Sequence, residues 1–191
     1  HKAIEQIKTS IFYPGGLPVM LNGPTGVGKS YIANLIYQYS VEKGVLSDNA
    51  PFISFNCAQY ANNPELLSSN LFGHVKGAFT GAETMKRGML DAADGGILFL
   101  DEVHRLNEEG QEKLFTFLDQ GVFRRMGESE GGHKVNVRLI FATTEDLEKN
   151  FLNTFLRRVP IRIWIPGLDE RGEKEKKQIV YMFLINEARK L

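Results

Sequence analysis

The stretch Gly23-Pro24-Thr25-Gly26-Val27-Gly28-Lys29-Ser30 restricts the folds open to this chain more than any other feature, because it satisfies G-x-x-x-x-G-K-[ST] in full. An apolar run at 19–21 precedes it and a helical pattern at 30–39 follows. Glycines in this order let backbone N–H groups curl around phosphate oxygens, and the start of a helix adds positive potential. Lys29 is placed to reach terminal phosphates and Ser30 to hold Mg2+. A plain glycine-rich turn between core elements would not need strand, loop, lysine and hydroxyl in this succession.

Apolar runs recur at 19–21, 52–55, 97–100, 139–142 and 161–165, separated by segments long enough for helices. Near-continuous apolar strands imply burial on both faces, and parallel neighbours need crossover connections. The pattern therefore predicts an α/β fold, three layers built on a five-stranded parallel sheet. Periodicity predicts helices over 30–39, 64–70, 108–119 and 173–190, the last carrying Ile179, Met182, Phe183 and Asn186 at three-and-four spacing. Pro166 and Gly167 close the fifth strand, and a charged stretch at 169–177 precedes the final helix. These signals divide the chain into a core over 1–171 and the first helix of a second unit over 172–191.

At the end of the third run, Asp101 and Glu102 put two carboxylates where ligands gather in open α/β sheets. Asp101 suits Mg2+ or its waters, and Glu102 can orient and polarise an attacking water. Phosphoryl transfer to water needs such a positioned nucleophile as well as a charge cradle, so the pair points to nucleoside triphosphate hydrolysis, with ATP and Mg2+.

Composition excludes several other classes. With 42% apolar and 24% charged residues in 191, the chain is expected to fold. Its 23 basic and 23 acidic side chains cancel, leaving no global positive field to hold a nucleic-acid backbone. Cys57 is the sole cysteine, so neither an intrachain disulfide nor a four-cysteine metal site is available, and it reads as a small buried apolar residue. Neither a signal peptide nor a long apolar run is evident, which predicts a cytoplasmic location and no membrane contact. A start at His1 rather than methionine reads as a piece of a longer protein.

The segment 70–82, Asn-Leu-Phe-Gly-His-Val-Lys-Gly-Ala-Phe-Thr-Gly-Ala, resembles the signature of sigma-54-dependent transcriptional activators, members of the AAA+ superfamily. Blocks at 55–58, 93–96, 137–144 and 165–171 are similar to family blocks in family order, so the resemblance covers nearly the whole chain. Details at 101–105 and 155–158 look more like the branch related to the levanase regulator, whose members control sugar phosphotransferase operons. By itself, Gly77 to Ala82 reads as a glycine-hinged loop whose Phe79 either forms an apolar tip or enters the local core. The resemblance implies the former: Gly77, Ala78, Phe79, Thr80, Gly81 and Ala82 contact the sigma factor, and the loop moves as the nucleotide changes.

Other roles follow from the resemblance alone. It implies a ring, expected to be a hexamer, that engages sigma-54 RNA polymerase, with DNA bound through regions outside this segment and 172–191 opening a helical lid. Asn56 matches an asparagine that withholds the catalytic glutamate; its plainer reading is a cap on the second strand. The sensor at the fourth strand's end is usually asparagine and falls on Thr144 here. Arg157 aligns with an arginine finger supplied by the neighbouring subunit. The second family arginine falls on Phe151, which leaves Arg158 as its substitute or leaves both arginines as solvated helix-end charges. Residues 126–134 look like a second surface loop that moves with the first. The lid's nucleotide-sensing arginine lies past Leu191, which implies weak nucleotide binding and weak assembly for this piece.

Two other readings stay open: another ring ATPase, such as an unfoldase or DNA motor, and a nucleotide-gated binding module with little turnover. The first would share the phosphate loop but not the 77–82 signature. The second is kept alive by the departures at Thr144 and Phe151.

Overall fold

The computed structural model describes residues 2–188. The chain runs α1 (Lys2–Phe12), β1 (Val19–Asn22), α2 (Lys29–Glu42), β2 (Phe52–Asn56), α3 (Pro64–Phe72), β3 (Gly73–His74) and β4 (Lys86–Arg87). It continues through α4 (Met89–Ala92), β5 (Ile97–Asp101), α5 (Glu108–Gln120), β6 (Val122–Phe123), β7 (His133–Lys134) and β8 (Arg138–Thr143). The last elements are α6 (Leu147–Asn150), α7 (Asn153–Arg157), β9 (Ile161–Trp164) and α8 (Glu173–Ala188).

Five strands form one all-parallel sheet in the order β2-β5-β8-β1-β9. Alternation along each strand feeds two separate cores. On one face Val19, Leu21, Phe99, Ile140 and Ala142 pack with α1 and α2. On the other, Met20, Leu98, Leu100 and Phe141 pack with α3, α5 and α7. Each fully buried Leu or Phe contributes about 1.5–3 kcal/mol of transfer free energy, so these two layers are what fix the strand order.

Helix boundaries have local causes. Asn63 caps α3 by accepting from Leu66 N, with Pro64 in the first turn, and Asn107 caps α5 by accepting from Gly110 N. Gly121, left-handed at φ 68°, ends α5.

Several expectations need correction. The fifth strand is not buried on both faces: β9 lies at the sheet edge, with Ile161 and Ile163 inside while Arg162 and Trp164 face out. The expected helix at 30–39 begins at Lys29 and runs to Glu42, and that at 64–70 reaches Phe72. The polar-looking N-terminal stretch is a helix, α1, with Ile7 and Ile11 packed on the second core. For the last helix, Glu173–Ala188 is described, and Lys190 lies outside the described residues. The short hairpins β3–β4 and β6–β7 were not foreseen. Among the described residues, no helix is long and apolar enough to cross a membrane.

Candidate functional site

β1 delivers the glycine loop to the C-terminal edge of the sheet, next to the place where the strand order reverses. Gly28 precedes α2 at φ 94°, a left-handed turn that a side chain would strain, and a Cβ there would project into open space. The backbone can thus approach a phosphate closely. The Lys29 side chain is buried, and its Nζ donates to the carbonyls of Gly23 (2.7 Å) and Pro24 (2.8 Å). Burial pushes the pKa of this ammonium down, and the charges of Asp101 and Glu102 pull it partway back. Ser30 is exposed in the first turn of α2.

Asp101 ends β5 in register with Asn56 of β2, and its Oδ1 accepts from Glu102 N at 2.9 Å. Glu102 is the one non-glycine residue with positive φ among those described, at φ 52° and ψ 42°. A left-handed conformation there costs of order 1–3 kcal/mol, a strain seen where a fold over-determines a site. The kink redirects the chain from the strand into the short turn at 103–105 and leaves the Glu102 side chain 24% exposed.

Ser30 and Asp101 offer hard oxygen donors of the kind Mg2+ takes, and no cluster of three or more His, Cys, Asp or Glu side chains cages a metal among the described residues. Two protein oxygens fit a magnesium that completes its shell with phosphate oxygens and water. The buried Asn22 Oδ1, at the mouth of the loop, has no hydrogen-bond partner and could accept from such a water.

The other residues singled out by sequence fall into distinct settings. Asn56 Oδ1 accepts from Ala58 N at 2.9 Å, which is the capping geometry, and no hydrogen bond joins it to Glu102 among the described residues. Thr144 is half-buried beside exposed Glu145, whereas its neighbour Thr143 is fully buried at the end of β8. Arg157 is exposed at the end of α7. Arg158 is paired with Asp119 and stacked over Phe115 at 5.3 Å, so it is engaged within its own chain. Phe151 is core, stacked on Phe155 at 5.8 Å.

Residues 77–82 top the β3–β4 hairpin and form a compact turn closed by Gly77 N to Ala82 O (2.8 Å) and Ala82 N to Phe79 O (3.0 Å). Gly77 (φ 80°) and Gly81 (φ 98°) supply the left-handed bends. Phe79 is half-buried, edge-on to His74 at 5.0 Å, while Thr80 is exposed and Ala82 buried. Phe79 therefore lies between the two sequence readings, resting on the hairpin rather than standing in solvent or entering the main core.

The second loop is tied to the first. Met126 N donates to Gly73 O (3.0 Å), and Val75 N donates to Met126 O (3.0 Å). A Cβ on Gly127, itself at φ 83°, would lie 2.8 Å from Ala78 Cβ, so glycine lets the loops touch. Beneath them Arg125 Nη2 pairs with Asp91 Oδ1 at 2.9 Å, and Glu128 Oε1 lies 2.8 Å from His133 Nε2. Burial works against the Glu128 carboxylate, but the His133 hydrogen bond, the Arg125 backbone N–H and both neighbouring charges outweigh it and hold its pKa below the usual range. Sequence reading missed this cluster and also the contact of His104 with Thr143 (2.9 Å). His104 had been noted only as part of the 101–105 block. Cys57 is buried, and burial chiefly, with the Asp101 charge, pushes its thiol up to about 12.

An apolar groove of about 600 Å³ between α1 and α2, lined by Ile4, Ile7, Leu35 and Trp164 among others, carries none of these groups.

A parallel α/β sheet whose C-terminal edge gathers a glycine loop, a buried lysine and paired carboxylates defines a phosphate-loop nucleotide-hydrolysing domain. The profile of the sigma-54 interaction domain matches residues 1–163. The transcriptional regulatory protein LevR of Bacillus subtilis is 52% identical over 191 residues, all of this chain and 20% of that protein. DagR of Salmonella typhimurium is 48% identical over 99% of the chain and 20% of its own length. The crystal structure of NtrX from Brucella abortus in complex with ATP superposes with a TM-score of 0.66 at 30% identity, covering 88% of this chain and 36% of that one. The chain belongs to the sigma-54 interaction domain family, the AAA+ ATPase domain of bacterial enhancer-binding transcriptional activators. It spans about a fifth of the length of LevR and of DagR.

Proposed function

We propose that this domain hydrolyses ATP at the interface between neighbouring subunits of a ring and uses the turnover to remodel sigma-54 RNA polymerase for promoter opening. The observation that carries this reading is the meeting of Lys29 with Asp101 and Glu102 at one sheet edge, where both carboxylates act on the buried ammonium. The backbone of residues 23–28 and the Lys29 ammonium bind and orient the phosphates. Ser30 and Asp101 hold the magnesium ion, which supplies charge neutralisation on the phosphate oxygens. Glu102 polarises the water for attack, and Asn56 is its partner when the target is absent. Thr144 senses the terminal phosphate.

Arg157, free at the surface, acts from the next protomer; for Arg158 to join it, its pair with Asp119 must open. A finger of this kind contributes roughly a thousandfold or more to phosphoryl transfer. Residues 77–82 contact sigma-54, with 126–134 moving alongside because Met126 and Gly127 are bound to the same hairpin. Residues 172–191 begin the lid. The whole protein acts in the cytoplasm, binds DNA through other regions and, by its likeness to LevR, regulates phosphotransferase-linked sugar operons.

ATP turnover per subunit of the full-length protein is expected to rise steeply with protein concentration, because a monomer lacks Arg157 in trans. Capture of sigma-54 RNA polymerase is expected only with a transition-state nucleotide analogue. Concentration-independent turnover would remove the ring from the reading, and nucleotide-independent capture would remove the coupling.

A further inference from the structure

The Glu102 carboxylate has a neighbour that the family-based roles leave out. The His104 side chain is only 7% exposed, and its Nε2 stands 3.6 Å from Glu102 Oε2. The opposite ring nitrogen, Nδ1, lies 2.9 Å from Thr143 Oγ1 across 39 residues of sequence. Thr143 is fully buried, its Oγ1 accepts from Glu145 N at 3.1 Å, and its carbonyl accepts from Gly23 N of the phosphate loop at 3.2 Å. A continuous chain of contacts thus runs from the phosphate loop through Thr143 and His104 to Glu102.

One tautomer serves both neighbours at once. A carboxylate only accepts, so the tautomer protonated at Nε2 is the one that turns an N–H toward Glu102. In that tautomer Nδ1 is an acceptor, and the Thr143 hydroxyl, whose oxygen accepts from Glu145 N, has a proton to give it. At 3.6 Å the Nε2–H is beyond hydrogen-bond length from Glu102, so the ring steers the carboxylate without immobilising it. Asn56, the other side chain suited to hold Glu102, makes no hydrogen bond to it among the described residues; its Oδ1 accepts from Ala58 N.

We propose that His104 is a positioning residue for ATP hydrolysis: through Thr143 it links the Glu102 carboxylate to the phosphate loop and sets the orientation from which Glu102 polarises water. This rests on the reading of Glu102 as the water-polarising group. Neutral imidazole is the form that does this, and burial pushes His104 toward it, with Glu102 opposing and Arg105 adding to the shift.

The test uses the full-length protein at a concentration where turnover per subunit has levelled off. His104→Ala is expected to lower kcat for ATP by about tenfold or more, the usual scale for a group that orients a reactive one, with KM within about twofold. His104→Gln, which returns an N–H near the Nε2 position, is expected to recover most of that loss. Thr143→Val should match His104→Ala, and the double variant should be no slower than either single one, since both cut the same chain of contacts. Wild-type kcat in His104→Ala, additive losses in the double variant, or a loss that His104→Gln leaves in place alongside a lowered melting midpoint would each overturn the proposal. Glu102→Gln separates the two levels: if it abolishes turnover while His104→Ala keeps the wild-type kcat, only the positioning role is lost. If Glu102→Gln turns over normally, the reading beneath it goes as well.

Discussion

The nucleotide end and the loop end of this domain are built in opposite ways. Lys29 at the start of α2 and Asp101-Glu102 at the end of β5 lie at the edge of a five-stranded parallel sheet whose faces are both packed, so their positions are set by strand register and two apolar layers. The 77–82 and 126–134 loops stand on hairpins of two residues per strand, joined by a pair of backbone hydrogen bonds, one glycine contact and the Arg125–Asp91–Glu128–His133 cluster. That cluster is imperfectly satisfied: Arg125 Nε is buried without a partner, and His133 Nε2 sits within 2.9 Å of both Arg125 Nη1 and Glu128 Oε1, although one nitrogen cannot serve a donor and an acceptor together. A packed sheet resists displacement, whereas polar contacts of this kind can be exchanged for others at small cost. The part that holds the chemistry is made to stay still, and the part proposed to reach sigma-54 is held by contacts that can be exchanged.

The contrast can be broken most severely at the nucleotide end. Lys29→Ala is expected to lower ATP turnover of the full-length protein by about a hundredfold or more, the scale for losing one preorganised charge stabiliser. Its melting midpoint should hardly move, because the ammonium is bound to two loop carbonyls and no core residue. At the loop end, Arg125→Ala leaves Asp91 unpaired at 13% exposure and is expected to cost about 3 kcal/mol in denaturant unfolding. Hydrogen exchange would sharpen the comparison, with protection falling at 73–75 and 126 while amides of β5 and β8 keep theirs.

Gly127→Ala is a milder probe. It forces a left-handed Cβ against Ala78 and is expected to cost about 1–2 kcal/mol. Nucleotide-dependent capture of sigma-54 RNA polymerase should fall more than ATP turnover does; equal losses would mean the two ends are less separate than the packing indicates.

The smallest effect concerns pH. Burial lowers the pKa of His104 below its unfolded value of 6.5, with Glu102, Arg105, Glu145 and Asp101 as the charged groups around it. The unfolded chain therefore takes up the proton first, and the stability tied to neutral His104 is in place above pH 6.5 and is lost as the pH falls from there toward the folded-state value. Melting midpoints measured from pH 7.5 to 5.5 should drop less in His104→Gln than in the wild type.

The two ends also differed in how far sequence revealed them. Gly23 to Ser30 and Asp101-Glu102 were legible because each is a contiguous string whose chemistry depends on adjacent residues, and the apolar runs gave the parallel sheet. The runs misjudged were the two edge strands: β2, where Ser54 is exposed, and β9, where Ile161 and Ile163 alternate with Arg162 and Trp164. Helix α1 was passed over because the polar residues between Ala3, Ile7 and Ile11 masked its apolar stripe. The loop end was named by its glycines and Phe79, but its fastening was invisible. Arg125 meets Asp91 across 34 residues, and His104 meets Thr143 across 39. Two-residue strands are too short to carry a period. Arg158 likewise looked free until Asp119 and Phe115 were brought beside it by the packing of α5 on α7.

The lone cysteine carries a practical consequence. Because Cys57 is fully buried in the turn that follows β2 and burial holds its thiol protonated, alkylating dyes and spin labels will pass it by. A new thiol introduced at exposed Thr80 or Ser129 would be the sole reactive site on this stretch of chain, so any excursion of either loop could be followed by a single fluorophore without first engineering the native sulfur away.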